Sequence, residues 1–168
     1  MNLTEYKQII KETAIYPQEV KNFGIAYCVL GLFDEIGEVM EKVEQNADIA
    51  EINKERFDVM WYICALCNEL NLNFEGIVAR GRSARHYSDE IEPSILFGMV
   101  KKYYRDGKII DNSIVSNLLT DLVFELFKTV DVETFNKGLQ DNYDKLMKRR
   151  ATNTIHGDGD NRENETTN

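Results

Sequence analysis

The sequence predicts an all-α protein, a helical bundle, and three observations carry that expectation. Apolar residues recur at three- and four-residue spacing through most of the chain, no segment alternates with the two-residue period of a strand, and only two prolines occur in 168 residues. A chain of this length fits one domain with a sizeable core. Its 43% apolar and 29% charged residues are those of an ordinary globular protein.

The first helix places Leu3, Tyr6, Ile10 and Thr13/Ala14 on one face and should stop near Pro17. A long second helix is expected over residues 23–43, where positions 25/26, 29/30, 32/33, 36, 39/40 and 43 keep helical phase. Gly37 inside it is disfavoured by about 1 kcal/mol against Ala, which points to close approach of another backbone or a ligand. A polar linker at 45–48 leads into a third helix over 49–70. A short helix follows Asn73, through Ile77 and Val78, into a basic stretch with Arg80, Arg82 and Arg85. Pro93 suits the first turn of the next helix, which should end at Asp106 and Gly107. Asp111 can cap a helix with the apolar stripe Ile114/Val115, Leu118/Leu119, Leu122/Val123 and Leu126/Phe127. Asp131 can cap a last helix carrying Val132, Phe135, Leu139, Tyr143 and Leu146. Beyond Ala151 the chain turns polar and glycine-rich.

A net charge of −9 argues against a general nucleic-acid or membrane-surface binder. Basic residues still gather locally, at Lys101, Lys102 and Arg105 and again at Lys145, Lys148, Arg149 and Arg150. The amino-terminal stretch is polar and amphipathic, unlike a signal peptide, and no apolar run reaches membrane-spanning length. Cys28, Cys64 and Cys67 all fall in apolar segments. The Cys64/Cys67 C-x-x-C lies in mid-helix with no second pair, so small core residues are favoured over a redox or metal pair. A reducing cytoplasm is the simplest setting for three such thiols.

Two acidic pairs stand out against this background, Glu35/Glu38 on the second helix and Glu55/Asp58 on the third. Residues three apart on a helix lie about 60° apart on one face. Leu32, Phe33, Ile36, Val39 and Met40 surround the first pair, and Phe57, Val59, Met60 and Trp61 the second. Carboxylates set among core residues repel one another and lose hydration, so they need a partner. A single such pair is commonly just a solvated face. Here the two helices are consecutive and joined by a short linker, which makes them antiparallel neighbours able to pool four oxygen ligands. Such a set suits a hard divalent cation, Mg²⁺ with Mn²⁺ as a substitute. A ferritin-like iron site would need Glu-x-x-His, and the residues three before His86 and His156 are Ser83 and Asn153.

The segments GLFDEIGEVMEKVEQ and KERFDVMWYICAL resemble the MazG-like all-α nucleoside triphosphate pyrophosphohydrolases of bacteria and phages, whose signature is E-x-x-E followed by E-x-x-D on the next helix. Here that pattern reads Glu35-Ile36-Gly37-Glu38 and Glu55-Arg56-Phe57-Asp58. The four-carboxylate motif spans residues 31–62, and the later NYDKLMKRR and HGDGDNRE also look like the family's carboxyl-terminal segment. Many members carry Glu just before the first motif glutamate; this chain has Asp34.

The resemblance implies a bundle of the all-α NTP pyrophosphatase type over residues 1–150, completed by dimerisation or as a dimer of dimers. The implied reaction is Mg²⁺-dependent hydrolysis of a nucleoside triphosphate to monophosphate and pyrophosphate. Glu35, Glu38, Glu55 and Asp58 would hold the metal, with Glu38 or Glu35 also orienting or deprotonating the attacking water. Lys145 and Arg149 fit family-like phosphate binders, with Arg150 beside them, and Lys101 and Arg105 could add positive charge at the mouth. Trp61 could stack on a base or simply belong to the core. The tail, residues 151–168, either folds over the nucleotide or stays disordered. Other expectations remain open: a phosphoribosyl-ATP, dUTP or alarmone substrate, or a non-catalytic nucleotide-binding protein that keeps the acids.

Overall fold

A computed structural model describes residues 1–14, 22–84 and 94–154. Seven helices and no strand occur among them: α1 Leu3–Thr13, α2 Phe23–Glu44, α3 Ile49–Glu69, α4 Phe74–Ser83, α5 Ser94–Asp106, α6 Asn112–Phe127 and α7 Val132–Ala151. The protein is all-α. None of these helices is long and apolar enough to cross a membrane.

Short polar side chains set the helix starts. Asn2 and Glu5 form a reciprocal capping box on α1, while Asp48, Asn73, Asp111 and Asp131 each accept from backbone N–H groups in the first turn of the helix they precede. The expected caps at Asp111 and Asp131 are therefore present. Asparagine also handles the reversals, with Asn46, Asn71 and Asn153 in the left-handed region just past α2, α3 and α7. Gly107 takes the same conformation after α5, at the expected stop. Pro17 and Pro93 lie outside the described residues, as do His86, His156 and the tail from 155 onward.

Helices α2 and α3 make the most extensive packing contact, and α4 packs chiefly on α6. Helix α1 lies across α3 and α7, and α5 touches α2 through Phe33 and Phe97, whose rings are 4.3 Å apart. Tyr6, Leu32, Ile63, Leu66, Phe74 and Leu139 are among the fully buried core side chains. The stripe on α6 goes into this core: Val115, Leu118, Leu119, Val123 and Leu126 are all buried within the chain itself. Exposed apolar side chains sit elsewhere, at Leu30, Met40 and Val43 on α2 and Ile49 at the start of α3.

Gly37 is exposed, and nothing lies within 4 Å of where its Cβ would be, so no close approach within the described chain explains it. The tight glycines are Gly31, against the Tyr62 ring, Gly81, against Val123 and the Thr120 carbonyl, and Gly138, against Phe57. Cys28, Cys64 and Cys67 are buried free thiols, and burial pushes the last two up, Cys67 to about 12.

Candidate functional site

The turn between α2 and α3 reverses the chain. Gly31 consequently faces Tyr62, and one turn along, Glu35 faces Asp58. The antiparallel pairing brings Glu35, Glu55 and Asp58 together, each offering a carboxylate oxygen within 4.8 Å of the others. Glu55 is 7% exposed, and the other two are partly buried. Glu38 is exposed, one turn beyond Glu35, and is not one of the three. Its charge is still felt. Burial first, then Asp58, Glu38 and Glu55, push the Glu35 carboxyl up to about 8, with Lys145 opposing them.

Helix α7 supplies the partners of Asp58. The Lys145 ammonium donates to both carboxylate oxygens, at 2.5 and 2.6 Å. Asn142 Nδ2 donates to Oδ1 at 2.7 Å, and Asn142 Oδ1 accepts from the Tyr6 hydroxyl at 2.9 Å. Both Tyr6 and Asn142 are buried, so a polar chain runs from α1 through α7 to the carboxylate on α3. Sequence reasoning missed this chain. The signal available was a polar Asn142 in phase with apolar Phe135 and Leu139 on one helix face. Tyr6, read only as a core position, carries a hydroxyl that needs a partner when buried.

The remaining basic and aromatic candidates are dispersed. Arg149 is buried at 7% exposure, and Arg150 pairs with Glu12 on α1 at 2.8 Å. Lys101 is exposed on α5, where Arg105 pairs with its neighbour Asp106 at 2.7 Å. Trp61 is half-buried and meets the Tyr62 ring edge-on, 4.7 Å between centroids. Its indole N–H is buried without a hydrogen-bond partner among the described residues.

Beside the Asp58–Lys145 pair lies a groove of about 710 Å³ between α3 and α7. Phe57 and Gly138 line it along with four lysines, Lys54, Lys137, Lys145 and Lys148, and two aspartates, Asp141 and Asp144, the first of which pairs with Lys137. The three clustered acids offer only oxygen donors, with no nitrogen or sulfur among them, the donor type that hard cations accept. The arrangement sets three carboxylates near a cleft lined by four lysines and two aspartates, with Lys145 common to both.

No protein-family model matches the chain, and no solved structure matches it. The chain is similar to the Gene 37 protein of Mycobacterium phage L5, 29% identical over a match that takes in 48% of this chain and 82% of that protein.

Proposed function

We propose that this protein hydrolyses a nucleoside triphosphate, ribo or deoxy, to the monophosphate and pyrophosphate with Mg²⁺, serving nucleotide-pool control or removal of non-canonical nucleotides. The observation that carries the reading is the meeting of Glu35, Glu55 and Asp58 from the two halves of the E-x-x-E and E-x-x-D pattern. The groove that Lys145 shares with them supports it, since its four lysines outnumber its two aspartates and a polyphosphate needs positive charge near its metal.

Water attacks a polyanion slowly unless negative charge is neutralised and the nucleophile is oriented. A bound divalent cation supplies the neutralisation. In this reading Glu35, Glu55 and Asp58 hold it, while the more exposed Glu38 orients or deprotonates the water. Lys145 takes a phosphate oxygen in the groove, and Trp61 contacts the base. Two protomers associate through the apolar surface on α2 and the start of α3, where Leu30, Met40, Val43 and Ile49 are each more than half exposed. Buried free thiols suit a reducing compartment.

The test is a Mg²⁺-dependent pyrophosphate-release screen across ribo- and deoxynucleotides, run on the wild type and Glu38→Gln. Release by the wild type, lost in a variant that stays helical, is the expected result. Equal turnover by Glu38→Gln rejects its assigned role, and binding of triphosphates without any product makes the protein a nucleotide binder instead.

A further inference from the structure

Asp58 is held by two donors of different character. Asn142 is short, buried and itself fixed by Tyr6, so it orients the carboxylate independently of Lys145. Lys145 is long, and its side chain is 24% exposed on the wall of the α3–α7 groove. Between them they fill both lone-pair directions of Oδ1, and Lys145 also takes one on Oδ2. An ammonium in that position competes with any cation for the same oxygens and repels it.

We propose that Lys145 is a displaceable counter-ion, which yields the Asp58 oxygens to a divalent cation and turns into the α3–α7 groove to receive a phosphate oxygen of the substrate. The proposal rests on Glu35, Glu55 and Asp58 being the cation's ligands. Three further lysines, Lys54, Lys137 and Lys148, line the groove together with two aspartates, Asp141 and Asp144, and Lys137 pairs with Asp141, in a chain whose net charge is −9. The lining thus keeps a net positive balance, four lysines against two aspartates, where the released ammonium would go, and a polyanion is the ligand that such a wall attracts. Asp58 would keep its orientation throughout, because Asn142 stays bound to it. Lys145 then links the two binding events: metal alone must work against it, whereas metal with polyphosphate gains a new partner for it.

The experiment measures binding of Mn²⁺ alone, and of inorganic tripolyphosphate in the presence of Mn²⁺, to the full chain by calorimetry. Lys145→Met removes the charge at similar length, and Lys145→Gln is the second variant should the first fold poorly. Both should bind Mn²⁺ about tenfold more tightly than wild type and tripolyphosphate about tenfold more weakly. A merely structural lysine would weaken both or neither. Mn²⁺ affinity unchanged or reduced in both variants overturns the proposal, as does undiminished tripolyphosphate binding. Asp58→Asn separates the two levels of the argument. If wild type binds no Mn²⁺, or Asp58→Asn binds it as well as wild type, the cation site itself is wrong and the proposal goes with it.

Discussion

Asn142 on α7 donates a 2.7 Å hydrogen bond to Asp58 on α3, joining the last helix to the acidic cluster. Because Asn142 also accepts from the Tyr6 hydroxyl, the orientation of one carboxylate depends on three helices at once. Deleting the Tyr6 hydroxyl leaves a buried acceptor without its donor. Tyr6→Phe should destabilise the protein by about 1–2 kcal/mol, and Asn142→Ala by about 2–3 kcal/mol, read as urea midpoints. The double variant should lose less than the sum, because either single change already breaks the shared bond. Strict additivity would mean that the chain is not a unit.

Glu35 gives the fold a distinctive response to pH. Its native carboxyl titrates at about 8, against 4.5 for an unperturbed glutamate. Between these values the native protein keeps a proton that the unfolded chain has released, so stability falls as pH rises through this window and levels off above it. In EDTA, urea midpoints from pH 5 to pH 8.5 should therefore decline more steeply for wild type than for Glu35→Gln. Parallel curves would show that Glu35 ionises normally.

The two glycines of α2 that flank Glu35 should respond oppositely to alanine. A Cβ on Gly31 would collide with the partly buried Tyr62 ring, which would have to shift against the Tyr27 and Trp61 rings it meets. Gly31→Ala should cost about 1–3 kcal/mol. Gly37 has open space around it, so Gly37→Ala should gain about 0.5–1 kcal/mol from helix propensity alone. Thermal melts of the two variants compare them directly. Loss of stability in Gly37→Ala would reveal a close contact there, as an interface between copies would make.

Burial holds the Cys64 and Cys67 thiols well above their usual range, away from the reactive thiolate. Together with buried Cys28, they should react with a thiol reagent at least a hundredfold more slowly in the native protein than in urea. Fast native labelling would mean that the α3 core opens readily.

Helix periodicity and capping chemistry made most of the fold legible, since Asn73, Asp111 and Asp131 mark helix starts by a local mechanism that survives in any tertiary context. The acidic pairs were legible for the same reason: i, i+3 spacing on consecutive helices is local information. What escaped was pairing across distance. Nothing near Lys145 in sequence says that its ammonium turns to Asp58, because that contact depends on where α7 crosses α3. The α6 stripe and the exposed apolar residues of α2 look alike as patterns, and only packing separates the buried one from the bare one.

The most direct measurement is product analysis by phosphorus NMR, with a deoxynucleoside triphosphate, Mg²⁺ and either wild type, Glu55→Gln or Asp58→Asn. The expected wild-type spectrum gains monophosphate and pyrophosphate together, and neither variant produces them. Release of inorganic phosphate with a diphosphate, or undiminished turnover by the two variants, would contradict the assignment of this carboxylate cluster.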